Sequence, residues 1–256
     1  DVYKRQLILC LKNYNMPILF DTETTSADPN KARVVEIAVY DTFTSEMQEE
    51  SCFPAASIEI GAMATHHITI DSVRGLPQFW QTDIFQYIKE NSQNEIFVAH
   101  NAPYDTEVLH NEGISLVRVI DTLRVAKHLC ADDEPESFSL QYLRYFYKLD
   151  ELANEYELKY IREGSPHAAL YDTIVLRWFY SFLYRKVQKL HPGKDPDEVM
   201  LELSEKIPLV HRFRFGKYRG EKFADVAKKD EGYIEWLLAK HDDPEVVMTC
   251  RHYLNK

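Results

Sequence analysis

Cysteine is scarce and scattered, four residues in 256 (Cys10, Cys52, Cys130 and Cys250), with no C-x-x-C pair. That excludes a disulfide framework and a thiolate zinc site as organising features, and a reducing cytoplasm is the compartment such a chain suits. Long apolar runs are missing too: nothing in the sequence approaches the roughly 18 residues of a membrane helix, so no spanning segment and no membrane partner are expected. Positive charge is in deficit, with 30 Lys and Arg against 41 Asp and Glu and a formal net charge of −11. A protein that grips a polyanion through its overall field is thereby disfavoured, because phosphate binding rewards a positive surface. Two local exceptions remain open: a basic patch at one end, or bound cations that offset a cluster of carboxylates. Internal repeats and low-complexity tracts are also lacking.

What is present is ample core material, 45% hydrophobic and 12% aromatic residues. Residues 1–15 hold a short apolar stretch behind basic residues without a small-residue cleavage site, and are expected to be a non-native leader preceding Met16. The continuous apolar run 17–20 stops at Asp21, as a buried strand does, and strands are expected at 34–40 and 47–53, then 96–99 and 116–120. Helical spacing predicts helices over 77–88, from Pro103 to Gly113, from Asp121, over 139–147 and over about 168–187. A strand meander followed by strands alternating with helices reads as an α/β fold, a five-stranded mixed sheet flanked by helices. The expected division is a main α/β domain over 16–190, a linker over 191–208 opening on His191-Pro192-Gly193, and a small C-terminal domain over 209–256. Within the linker, Asp195-Pro196-Asp197-Glu198 predicts the start of a short charged helix.

Three short motifs carry chemistry. Asp21-Thr22-Glu23-Thr24-Thr25 closes the first strand, where alternation along an extended chain points Asp21 and Glu23 to the same side. His100-Asn101-Ala102-Pro103-Tyr104-Asp105 opens a helix, with Asn101 a cap candidate and Asp105 in the first turn. In Pro166-His167-Ala168-Ala169-Leu170-Tyr171-Asp172, the histidine and the aspartate would lie about 140° apart if both were mid-helix. Pro166 instead places His167 at the helix start, free to bend toward Asp172, where the helix N-terminus disfavours imidazolium and keeps the ring able to accept a proton. Four carboxylates packed together repel by roughly 4 kcal/mol per close pair at an effective dielectric near 20, so they require cations. Oxygen-only ligands suit two Mg²⁺ or Mn²⁺ ions rather than zinc.

These motifs, as they stand here, resemble the three exonuclease motifs of the DEDDh 3′→5′ exonuclease superfamily, whose fold is ribonuclease H-like. Within it the chain most resembles the exodeoxyribonuclease X family, through Ala-Met-Ala-Thr-His-His-Ile-Thr at 62–69, Phe-Gly-Lys-Tyr-Arg-Gly at 215–220 and Gly-Tyr-Ile-Glu-Trp-Leu at 232–237, so that the likeness covers about 16–256. The resemblance implies that Asp21, Glu23, Asp105 and Asp172 hold two divalent cations and that His167 is the general base. It further implies that Thr22, Ala64, Thr65 and His66, with Asn101 and Tyr104, line the site for the terminal nucleotide. Tyr104 stands where phenylalanine is usual and keeps an aromatic platform for a base. Ala168 stands where the tyrosine variant of the superfamily has its tyrosine. The loop 26–32 is longer and more polar than the family pattern, which leaves open whether single-stranded or duplex DNA 3′ ends are taken.

The implied reaction is in-line attack of water on the last phosphodiester, releasing a 5′-nucleoside monophosphate. RNA is an open alternative substrate, since the sequence identifies no contact to a 2′-hydroxyl. A catalytically idle binding module of the same fold is disfavoured because all five site residues are present. Arg212, Arg214, Lys217, Arg219 and Lys222, interleaved with aromatic residues, form a candidate nucleic-acid patch in the tail.

Overall fold

The computed structural model describes residues 17–164 and 167–254, so the expected leader and Pro166 lie outside the described residues. The centre is one five-stranded sheet of order β3-β2-β1-β4-β5. Strand β1 (Ile18–Thr24) pairs antiparallel with β2 (Val34–Asp41), and β2 pairs antiparallel with β3 (Glu46–Ser51). On its other side β1 runs parallel to β4 (Ile96–Ala99), which runs parallel to β5 (Arg118–Asp121). The sheet is therefore mixed, as the order of motifs predicts, and side-chain alternation sends Ile18 and Phe20 to one face and Leu19 to the other.

Helices α1 (Ile60–His66), α2 (Asp83–Asn91) and α3 (Ala102–Asn111) precede β5; α4 (Thr122–Leu129), α5 (Leu140–Phe146), α6 (Glu155–Glu163) and α7 (Ala169–Leu190) follow it. On one face of the sheet, Leu19, Ala38, Val98 and Ile120 pack against α7 through fully buried Trp178 and Phe179. On the opposite face, Phe20, Ile37 and Phe97 pack against Ile84 and Ile88 of α2 and Val108 and Leu109 of α3. With apolar side chains on almost every side, α7 is buried as a central helix and is held in place by packing.

Several boundaries differ from those read in the sequence, each for a local reason. Strand β1 continues through the first motif to Thr24 because Thr22 and Glu23 pair with Ile37 and Glu36 of β2. The helix expected over 77–88 begins only at Asp83: Phe79–Gln81 forms a 3-10 turn, and the Thr82 hydroxyl then caps α2 by accepting from the Phe85 amide. Helices α1 and α6 have no counterpart in the pattern, the first being only seven residues long.

Most of the expected linker is helix α8 (Pro196–Glu205), packed rather than spanning. The Asp121 amide donates to Ser204 Oγ at 2.8 Å, and Arg118 pairs with Glu198. After it, α9 (Phe223–Lys229), α10 (Glu231–Lys240) and α11 (Pro244–Tyr253) enclose a separate small core of Phe213, Phe223, Val226, Ile234, Leu237, Val246 and Cys250. No helix of the described residues is long and apolar enough to cross a membrane.

Candidate active site

The registers explain why the site opens where it does. Strand β4 pairs with β1 only at Ile18 and Leu19, so from Asp21 onward β1 has β2 on one side and no strand on the other, where α3 reaches it through Asp105 and Tyr104. Asp21 and Glu23 alternate onto the sheet face that carries Leu19, the face covered by α7. Helix α3 starts beside β1: Asn101 turns the chain in the left-handed region (φ 68°), its amide donates to Asp121 Oδ1 at 3.0 Å, and Asp105 follows in the first turn. The Asn101 side chain makes no capping bond, so the cap role considered for it is not realised. Downstream of α3, Gly113 adopts φ 86°, the left-handed conformation expected of a glycine just past a helix end.

The third motif arrives from the opposite side. Helix α7 begins at Ala169 with Ala168 at its cap position, and His167 precedes both, in the left-handed region at φ 65°. The His167 amide donates to Asp172 Oδ2 at 3.2 Å, and its Nδ1 lies 4.0 Å from the same oxygen. The ring is 53% exposed while Asp172 is buried, so the imidazole stands at the mouth of the site. Ligand atoms of Glu23, His167 and Asp172 all lie within 4.8 Å of one another. Asp105 joins from α3: Thr22 Oγ1 donates to Asp105 Oδ1 at 2.6 Å, tying α3 to the strand between Asp21 and Glu23.

The electrostatics of this cluster are unbalanced. Burial, and then the charges of Asp172, Asp105, Glu23 and Glu36, hold the Asp21 carboxyl well above the usual carboxylate range. Burial and the neighbouring Asp172, Glu36 and Asp105 push Glu23 up to about 9. Asp105 is pushed up to about 7 by burial, against the lowering effect of its bond from Thr22. Asp172 is raised by burial, with His167 acting in the opposite direction. Among the described residues no lysine or arginine forms an ion pair with Asp21, Glu23 or Asp105. Buried oxygen donors that repel one another, three of them without a lysine or arginine partner among the described residues, are the donor set a hard divalent cation satisfies, so these residues fit the implied metal.

Three supporting contacts went unread in the sequence. Gln141 Nε2 on α5 donates a short hydrogen bond to Asp172 Oδ1, and the Gln141 Oε1 is buried without a partner among the described residues. Glu36 on β2 lies directly across the ladder from Glu23 and accepts from the Ala169 amide at 2.9 Å. Glu49 on β3 accepts from the Leu170 amide at 3.3 Å. A sequence scan has no signal for these, because each depends on which strand lies beside which helix.

The expected nucleotide-lining residues divide. Ala64 and Thr65 are exposed on α1, with Thr65 Oγ1 donating to the Gly61 carbonyl. His66 is buried, with Nε2 3.1 Å from the Thr24 carbonyl and Nδ1 accepting from the Ile68 amide. Both ring nitrogens are thus engaged, and burial lowers its pKa, so His66 fixes α1 against β1 as a neutral ring. Tyr104 donates its hydroxyl to the Ser26 carbonyl at 2.5 Å and shares a short bond with Thr24 Oγ1, bracing the start of the loop 26–32. Asn111 Nδ2 holds the far end of that loop through the carbonyls of Pro29 and Ala32.

In the tail, three of the five basic candidates are already engaged. Arg212 and Lys222 both pair with Glu134, and Lys217 pairs with Asp230. Arg214 lies over the Phe138 ring at 5.4 Å, and Arg219 forms no ion pair among the described residues. Both line a cleft of about 810 Å³ between the tail and the 127–138 region of the larger unit.

The sheet order and the acidic opening at the ends of its central strands define the class, a ribonuclease H-like fold. The chain belongs to the exonuclease family, whose sequence signature matches residues 18–176, and is accordingly a phosphodiester hydrolase. The exodeoxyribonuclease X-like C-terminal signature matches residues 213–242. Exodeoxyribonuclease 10 of Escherichia coli strain K12 is 27% identical over 243 residues, covering 92% of this chain and 97% of that protein. The structure of exonuclease X in complex with 5′ overhanging duplex DNA aligns with a TM-score of 0.53 at 23% identity, over 74% of this chain and 99% of that one. E. coli exonuclease I in complex with a dT13 oligonucleotide aligns with a TM-score of 0.52 at 18% identity, over 69% of this chain and 42% of that one. These two structures share the fold.

Proposed function

We propose that this enzyme is a 3′→5′ exodeoxyribonuclease that removes 5′-nucleoside monophosphates from DNA ends, with Asp21, Glu23, Asp105 and Asp172 holding two divalent cations and His167 as general base. The observation that carries this reading is the convergence of the first and third motifs, with Glu23, His167 and Asp172 presenting ligand atoms within 4.8 Å of one another, and with Asp105 of the second motif tied to the same strand through Thr22. The DNA-bound relatives of the same fold and the 27% identical exodeoxyribonuclease support DNA as the substrate.

When bound, Mg²⁺ or Mn²⁺ supplies positive charge to the scissile phosphate and to the oxygens entering and leaving it. The protein's own part is positional. Thr22 donates to Asp105 Oδ1, and Gln141 and the His167 amide donate to the two oxygens of Asp172, so both carboxylates are held in fixed orientations. His167, exposed beside Asp172, accepts a proton from the water that attacks the last phosphodiester, and the half-open mouth gives that water access. Arg214 and Arg219 offer phosphate contacts along the cleft beside the tail, and Ala64 and Thr65 on the exposed face of α1 offer a surface to the terminal nucleotide. Residues 209–254 act as a small accessory domain docked on the catalytic one.

Incubating the protein with 3′-labelled and 5′-labelled oligonucleotides of DNA and RNA, with and without Mg²⁺, tests the reading. Immediate release of the 3′ label as mononucleotide, only with the cation and faster from DNA, is the expected result. Loss of the 5′ label first, or undiminished cleavage in a chelator, would overturn it.

A further inference from the structure

Helix α7 delivers Asp172, and the residue two places before its start is His167, so the site's geometry depends on where this helix begins. Its cap position is Ala168, whose methyl group cannot accept a hydrogen bond, and no side-chain cap from within the helix's own segment is made. The acceptor comes from elsewhere. Glu36 Oε1 takes the Ala169 amide at 2.9 Å, while Glu36 Oε2 accepts from Ser51 Oγ on β3 at 3.1 Å. Cross-strand pairing places Glu36 opposite Glu23 on β2 and opposite Ser51 on β3, so its side chain rises from the sheet face that carries Asp21 and Glu23. Glu49, paired with Ala38 on that same face, takes the next amide, that of Leu170. Both Glu36 oxygens are thereby occupied.

We propose that Glu36 is a positioning residue: a cap supplied to α7 from a neighbouring strand, which sets where His167 and Asp172 stand relative to Glu23. An acidic side chain kept beside a cluster that already repels it is otherwise a pure liability; bonded to the positive end of a 22-residue helix, it has a compensating partner. Its effect on turnover rests on the general-base role given to His167, whereas the cap itself does not.

Amide hydrogen exchange in the chelated protein reads the cap directly. Relative to wild type, exchange at Ala169 is expected to accelerate about tenfold in Glu36→Ala, the change that loss of one helix cap brings, and to stay near wild type in Glu36→Gln, which keeps an acceptor oxygen. On a single-stranded oligonucleotide, Glu36→Ala is expected to lose about tenfold or more in kcat with little change in KM, and Glu36→Gln to recover most of it. The loss in kcat should be smaller when Glu36→Ala is made in a His167→Ala background, because the two act on the same element. Unchanged Ala169 exchange in Glu36→Ala, a Glu36→Gln variant as impaired as Glu36→Ala, or full multiplication of the two losses would each overturn the proposal. Should His167→Ala keep the wild-type rate, the general-base reading fails by itself, and the exchange at Ala169 still decides whether Glu36 is the cap.

Discussion

Glu23→Gln should stabilise this protein in the absence of divalent cations while abolishing its activity. Glu23 is only 7% exposed and is surrounded by Asp172, Glu36 and Asp105, which together with burial push its carboxyl from an ordinary value of 4.5 to about 9. A folded-state value raised above the unfolded one contributes stability that is fully present below the unfolded value and is lost as pH rises toward the folded value. Between 4.5 and neutrality lie about 2.5 pH units, equivalent to about 3 kcal/mol as an upper bound for an isolated group. Because the four carboxylates share the repulsion, a gain of about 1–3 kcal/mol at pH 7 is the expectation for the neutral amide. For a chain of this size that amounts to a rise in Tm of several degrees, at about 2–4 °C per kcal/mol.

Thermal unfolding in EDTA at pH 4, 7 and 9 is the assay. The variant and wild type should coincide near pH 4, where Glu23 is protonated in both states, and diverge increasingly as pH rises. Addition of Mn²⁺ should reverse the order, raising the wild type through binding to the folded state and leaving the variant almost unmoved. A Glu23→Gln protein that is less stable than wild type in EDTA at pH 7 would refute the reasoning, because it would mean the carboxylate cluster is not under electrostatic stress.

Three further outcomes follow from the same geometry. His167→Ala should retain Mn²⁺ binding in a titration but turn over about 10²-fold or more slowly, the usual size of a general-base contribution, and wild-type turnover would remove the role. Thr22→Val deletes the 2.6 Å bond to Asp105, one of the contacts that lowers that carboxyl, so a higher Mg²⁺ concentration for half-maximal rate is expected, and an unchanged requirement would show that the bond does not orient the ligand. Replacing Arg214 and Arg219 together by alanine should reduce the salt slope of single-strand DNA binding by about 1.4, or about 0.7 per phosphate contact, whereas Lys217→Ala should change little because Lys217 is held by Asp230; equal slopes in all variants would sink the tail's role in binding.

The chain by itself determined where its acidic motifs fall relative to strands and helix starts. Asp21 and Glu23 follow a buried apolar run, Asp105 opens a helix after Pro103, and Asp172 sits five residues beyond His167, because strands and helix starts leave periodic marks in a sequence. What only the tertiary structure decided was the company those residues keep. Glu36 reads locally as one more acid on a strand; that it caps α7 depends on β2 lying beneath the helix start. Gln141 reads as a surface amide on a short helix until α5 crosses α7 at Asp172. Arg212, Lys217 and Lys222 look like a free basic stretch, and Glu134, 78 residues from Arg212, together with Asp230 absorbs them. Local pattern reports what a residue can do; only long-range contact, which carries no periodic signature, reports which of those capacities is already spent.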